Sequence, residues 1–184
     1  LVVNNQLVAV AERVPAHVIG DGKHTVEELV EITNQDPRRG VGHEKILTRI
    51  SIEEQAIDTL ARQGLALSDV PEVDRMVRLK QTGNMSTGGT SIDRTDEIHP
   101  DNIEIAQQAA MVVGLDIAGI DFIASDISKS VRETNGAIVE VNAGPGFRMH
   151  TNPTEGHPRH VGRAVVDMLF PPGARSRIPI VAVT

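Results

Sequence analysis

The interior of this protein has to be assembled almost wholly from aliphatic side chains: its 184 residues include three Phe and no Trp, Tyr or Cys. Packing must come from Val, Ile, Leu and Ala, and with 40% of residues apolar the chain can fill one sizeable domain, or one and a fraction. The same poverty of aromatics removes the stacking platforms that hold single-stranded nucleic acid. A formal net charge of −7 argues further against a phosphate-backbone partner, whose affinity rests on clustered Lys and Arg. Without cysteine there are no disulfides, thiolate metal sites or Cys nucleophiles, which agrees with a reducing, cytoplasmic compartment. No apolar run approaches the roughly 18 residues needed to span a bilayer, and the first residues lack the basic segment and apolar core of a signal peptide. The expectation is small-molecule chemistry with neither nucleic acid nor membrane as partner.

Periodicity and turn chemistry divide the chain into mixed elements. Residues 1–14 alternate apolar side chains on either side of Asn4-Asn5-Gln6, which predicts a β-hairpin. Thr25 with Glu28 has capping-box spacing and predicts a short helix to about Ile32; Ser51 with Glu54 repeats it and predicts a second helix ending near Gly64. Residues 34–42 read as a polar loop, 73–80 as a strand and 82–90 as the most loop-like stretch of the sequence. Pro100 opens a helix that runs to about Val113 before Gly114. Two strand candidates follow at 119–124 and 137–142, separated by a polar segment containing Asn135-Gly136, and then a helix at 161–170 stopped by Pro171-Pro172-Gly173. Residues 174–179 read as a linker into a last strand at 180–184. Both ends fall in strand-like sequence, so the chain is expected to be a piece of a longer protein. The absence of regular βαβ alternation favours an α+β fold with an antiparallel sheet and flanking helices.

The residues richest in chemistry are Asp121 on one strand and Glu140 and Asn142 on the other. Side chains alternate along a strand, so Glu140 and Asn142 share a face while Val139 and Val141 are expected on the other. If the two strands are antiparallel neighbours, Asp121 joins that face, and two carboxylates and an amide oxygen make a donor set suited to Mg²⁺. Spacing alone is met equally well by solvent-facing charges on an exposed sheet. Gly144-Pro145-Gly146 then turns the backbone sharply just beyond them.

Val139 to Gly146, preceded by Gly119-Ile120-Asp121-Phe122, resembles the metal-binding signature of the ATP-grasp ligases. Within that family, Arg13-Val14-Pro15-Ala16-His17-Val18-Ile19-Gly20-Asp21-Gly22-Lys23-His24-Thr25, Asp36-Pro37-Arg38-Arg39-Gly40-Val41-Gly42-His43 and Ser86-Thr87-Gly88-Gly89-Thr90-Ser91-Ile92-Asp93 are similar to the cyanophycin synthetases, over essentially the whole chain. The resemblance implies an ADP-forming amide ligase in which Asp121, Glu140 and Asn142 hold two Mg²⁺ ions on ATP. It places Arg13 near the phosphates or the acyl group, and Asn84, Ser86, Gly88 and Gly89 beside the reacting groups, where backbone N–H groups approach ligand oxygens. Arg148 and His150 suit an acceptor carboxylate, with a structural role for one of them equally open. Arg38, Arg39, His43 and Lys45 read either as a solvated charge run or as a loop closing over the site.

The implied partners are ATP, aspartate and a cyanophycin primer, with arginine added elsewhere, and a homo-oligomer as the assembly. The resemblance further divides the chain into residues 1–170, the C-terminal part of an ATP-grasp domain, and residues 171–184, a linker and the first strand of a Mur-ligase-like domain. The family's adenine hinge and phosphate-reaching lysines would precede residue 1, so these residues alone are expected to be inactive. Two alternatives stay open: a glutathione-synthetase-like ligase, which shares the Gly-Asp-Gly-x-His-Thr and Ser-Thr-Gly-Gly features, and a non-catalytic scaffold. His99, His157 and His160 are expected to be surface or capping residues, since no zinc spacing relates them.

Overall fold

The computed structural model describes residues 1–42 and 44–175, which form two compact units; the strand expected at 180–184, most of the linker before it and His43 lie outside the described residues. The first unit comprises Leu1–Val10, Arg94–Phe147 and the described residues 159–175. The second comprises Ala11–Asp93 and Arg148–Pro158.

The first unit is built on a sheet of four antiparallel strands. Their spatial order is β10 (Ala137–Asn142), β9 (Ile117–Ile123), β1 (Val2–Val3) and β2 (Gln6–Leu7). The β1–β2 turn places Asn4 and Asn5 at φ 49° and 60°, the left-handed region in which Asn is the best tolerated side chain after Gly. The expected hairpin therefore exists but closes by residue 7. Because neighbours along a strand point to opposite faces, Val2 and Ala118 meet Ala106 and Ala110 of α3 (Pro100–Val113), while Leu1 and Val3 join a cluster with Val161 of α5 (Val161–Leu169). Helix α3 begins as predicted, with Pro100 in its first turn and the His99 side chain accepting from the Asp101 N–H, and Gly114 ends it at φ 78°.

Position 102 lies on the core stripe of α3, one turn before Ala106 and two before Ala110, yet it is Asn and is 0% exposed. Its amide donates to the carbonyls of Ile127 and Lys129 at 3.0 and 2.8 Å and accepts from the Val131 N–H at 2.9 Å. These bonds fold the connection between β9 and β10 onto α3 and leave the two strands free to pair directly, although the intervening segment is far too long for a tight turn.

In the second unit two antiparallel ladders form: β3 (Ala11–Val14) with β8 (Thr90–Asp93), and β4 (His17–Ile19) with β7 (Met76–Arg78). Residues 11–14 thus leave the expected hairpin and find a partner in β8, and the strand expected at 73–80 contracts to three residues. Helices α1 (Val26–Asn34) and α2 (Glu54–Ala61) supply Val26, Leu29, Val30, Ala56 and Leu60 to a core with Val18, Val77 and Leu79. Around Thr25 the capping box is complete: the Glu28 N–H donates to the Thr25 hydroxyl and the Thr25 N–H to the Glu28 carboxylate. The second expected box does not form. Glu53 is the cap of α2, and Ser51 spends its hydroxyl on the Glu53 carboxylate at 2.8 Å. Two further short strands, β5 (Arg39–Gly40) and β6 (Leu47–Thr48), run parallel and close the base of the loop between them.

Candidate functional site

In the first unit the register sets Asp121 directly opposite Glu140, and Gly119 opposite Asn142. Residues directly opposite in an antiparallel pair share a face, so the two carboxylates and the Asn142 amide stand on one side of the sheet. Ile120 and Phe122 point the other way, into the core under α3, with Val141 beside them. The ladder is irregular between Ile138 and Glu140. Ile138 pairs with core-facing Phe122 and Val141 with core-facing Ile120, three positions apart instead of two or four, so Val139 is the extra residue of a bulge. This corrects the simple alternation: Val139 does not join Val141 in the core and is 58% exposed. The bulge re-phases the strand so that Glu140, and not its neighbour, meets Asp121.

Beyond the carboxylates, Asn142 Oδ1 accepts the Gly144 N–H at 2.8 Å, which starts the Gly-Pro-Gly turn and fixes the amide. Pro145 then folds back over Gly119, where a Cβ would lie 2.9 Å from the Pro145 Cβ. Only glycine admits this approach, and it walls one side of the oxygen-rich face. Among the described residues no three His, Asp or Glu side chains converge as a metal cage, so a cation here would rest on Asp121, Glu140 and the second lone pair of Asn142 Oδ1. Hard oxygen donors with at most two carboxylates fit Mg²⁺, which keeps waters and takes further ligands from phosphates.

In the second unit Arg13 on β3 is paired with Ser91 on β8. Ser91 is buried and its hydroxyl donates to the Met149 carbonyl at 3.1 Å, which docks α4 (Arg148–Thr151) on this ladder. Thr154 N–H to Ser91 O at 2.7 Å and Asp93 N–H to Glu155 O at 3.0 Å continue the docking. Arg148 and His150 therefore flank a residue bound beside Arg13. His150 is buried, its Nδ1 lacks a hydrogen-bond partner, and burial pushes its pKa down to about 4, so the ring is neutral near pH 7. Arg148 reaches the Lys45 carbonyl at 3.5 Å.

Residues 84–89 lie against the same strand: a Cβ on Gly83 would meet the Arg13 carbonyl at 2.6 Å, and one on Gly89 the Val14 carbonyl at 2.8 Å. The segment is a closed cap, not an open nest. Asn84 Oδ1 accepts from the Ser86 N–H and hydroxyl at 3.0 and 2.8 Å. The N–H groups of Thr87 and Gly89 donate to the Asn84 carbonyl, and that of Gly88 to Met85. The N–H groups of Ser86, Gly88 and Gly89 are thus engaged within the turn itself, and a ligand oxygen reaching them has to compete with these bonds. What the turn presents outward is the exposed Asn84 amide nitrogen, its orientation set by the two bonds to Oδ1.

Two features were missed from sequence. Arg39, read as part of a solvated or closing loop, is 7% exposed and donates to the carbonyls of Thr48 and Gly88 at 2.6 and 3.1 Å. Arg38 instead grips Asp36 through two nitrogens, holding that carboxyl down to about 2. Nothing in an Arg-Arg pair tells which of the two is buried. The other is Asn102, whose only sequence signal was a polar residue in line with Ala106 and Ala110. A shallow depression on α1, lined by His24, Glu27, Glu28, Glu31 and Ile32, contains none of the predicted site residues.

No protein-family profile matches the chain. All 184 residues align with the cyanophycin synthetase of Synechocystis sp. at 61% identity and with that of Crocosphaera subtropica at 56%. A glutathione biosynthesis bifunctional protein of Enterococcus faecalis is 41% identical over 92% of the chain. Among solved structures, a bifunctional glutathione synthetase from Pasteurella multocida superimposes with a TM-score of 0.77 at 37% identity, over 92% of this chain and 23% of that one. The chain spans about a fifth (21%) of the length of the cyanophycin synthetases it matches. Over its whole length the chain is similar to a segment of the cyanophycin synthetases, and its fold, an antiparallel sheet with flanking helices, is that of part of an ATP-grasp ligase.

Proposed function

We propose that the complete protein carrying these residues is an ATP-dependent carboxylate–amine ligase that extends the aspartate backbone of cyanophycin, multi-L-arginyl-poly-L-aspartate. The observation that carries this reading is the 61% identity over all 184 residues of this chain, and the carboxylate pair set up by the β9–β10 register supports it. In the reaction, the C-terminal carboxylate of the primer attacks the γ-phosphorus of ATP and ADP leaves. The amine of aspartate then attacks the acyl carbon of the resulting acyl phosphate, phosphate departs and the amide forms. Residues 1–170 serve as the C-terminal part of the ATP-grasp domain and 171–184 lead toward a Mur-ligase-like domain where arginine is joined.

Asp121, Glu140 and Asn142 would hold Mg²⁺, up to two ions, which when bound neutralises charge on the nucleotide phosphates. Arg13 supplies a fixed positive charge for the phosphoryl or acyl oxygens, and Arg148 a planar fork for a carboxylate. Asn84 offers its amide N–H groups to a substrate oxygen, framed by Ser86, Gly88 and Gly89. His150, neutral through burial, adds a hydrogen-bonding group without adding charge. Most of the catalytic effect is positioning and charge stabilisation, as phosphoryl transfer requires.

The test is ATP-dependent incorporation of labelled aspartate into a cyanophycin primer by the complete protein. Asp121→Asn or Glu140→Gln should lower it on the order of 10³-fold; near-normal incorporation defeats the assignment. A glutathione-type ligase is the second reading, favoured by the structural match to a glutathione synthetase. Glycine addition to γ-glutamylcysteine with no aspartate addition would select it. If neither product forms and nucleotide does not bind, the residues act as a scaffold.

A further inference from the structure

Arg39 is a buried cation that no described carboxylate pairs with directly. Its neighbour Asp36 is engaged by Arg38, and burial lowers the readiness of Arg39 to carry its charge. Burying an ion that is not directly paired costs stability, so the hydrogen bonds it makes must offset that cost. Both go from one nitrogen, Nη1, to main-chain carbonyls of segments distant in sequence: Thr48 at the base of the loop between β5 and β6, and Gly88 in the Ser-Thr-Gly-Gly turn.

The second bond has a specific mechanical consequence. The carbonyl of Gly88 and the N–H of Gly89 belong to one planar peptide unit. Arg39 holds the oxygen of that unit, and its N–H donates to the Asn84 carbonyl at 3.0 Å. Gly88 sits at φ 94° and a Cβ there would meet Ile50 at 2.9 Å, so only glycine fits, and with glycine on both sides the orientation of this peptide rests on its two hydrogen bonds. Ile50 is itself clamped, its N–H and C=O both bonded to the buried Asn34 amide at 2.8 and 2.9 Å. The grip of Arg39 is thus transmitted through one rigid peptide to Asn84, whose outward amide is the group this turn presents.

We infer that Arg39 is a positioning residue for the ligation, fixing the 84–89 turn so that the Asn84 amide meets the substrate oxygen. The inference rests on the ligase reading above. In the complete protein, Arg39→Lys keeps the charge and loses the planar fork, and Arg39→Met keeps volume and loses the bonds. Both are expected to raise the KM for the primer or aspartate about tenfold while the KM for MgATP stays within about twofold. They should also speed amide hydrogen exchange in peptides covering 84–90 and leave those covering 100–113 unchanged.

Equal shifts in both Michaelis constants, faster exchange throughout the chain, or wild-type behaviour of Arg39→Lys would each overturn the inference. If Arg39→Met does not fold, Arg39→Lys decides alone by the same two readouts. If the unaltered protein proves to have no ligase activity, the functional reading fails, and the exchange of residues 84–90 still judges whether Arg39 holds the turn.

Discussion

Replacing Asn102 by Ala removes three hydrogen bonds at once from the connection that lets β9 meet β10. The Val131 N–H is buried and would be left without an acceptor, at a cost of about 1–3 kcal/mol. The carbonyls of Ile127 and Lys129 are only partly covered and can recruit water, so each loses roughly 0.5–1 kcal/mol. The sum is about 2–5 kcal/mol, which for a protein of this size shifts the melting temperature by roughly 4–20 °C. Thermal unfolding followed by circular dichroism gives the magnitude, and exchange of the Val131 amide gives the location, since that N–H should lose its protection first. A melting temperature within about 2 °C of the parent, with Val131 still protected, would refute the claim that Asn102 organises this connection. The same variant should weaken cation binding, because the Asp121–Glu140 register depends on the strands pairing without a tight turn.

Gly119→Ala drives a Cβ to 2.9 Å from Pro145 and should cost about 1–3 kcal/mol in a denaturant titration, whereas Gly146→Ala, with open space around it, should be near neutral. Gly89→Ala meets two backbone carbonyls, at 2.7 and 2.8 Å, and should destabilise at least as much as Gly119→Ala. His150 has its pKa lowered in the fold to about 4 by burial, so between its ordinary 6.5 and about 4 the unfolded chain binds more protons than the folded one. Stability should therefore fall as pH drops through that window, by up to about 3 kcal/mol, with the His150 contribution complete below it. His150→Leu should flatten this limb while leaving the loss at still lower pH, where Asp36 titrates; an unchanged limb in the variant would show that His150 is not its source.

Local physics made several parts of the chain legible. The capping box at Thr25, the proline start and glycine stop of α3, and the bounds of β10 were read correctly because each depends on residues within one turn or one strand. That Glu140 and Asn142 share a face was legible for the same reason, since it follows from the side-chain period. Where the reading failed, a competing partner won: residues 11–14 abandoned a local hairpin for the distant β8, and Ser51 gave up its cap for the carboxylate of Glu53, two residues on.

What the sequence by itself determined is an aliphatic-cored α+β chain with an oxygen-rich strand pair and a tight glycine turn, since composition and short-range periodicity suffice for that. Only the tertiary structure decided that Val139 bulges so that Glu140 faces Asp121, and that Arg39 and not Arg38 is buried. Those outcomes turn on which distant backbone group is left needing a partner, and no local pattern encodes that.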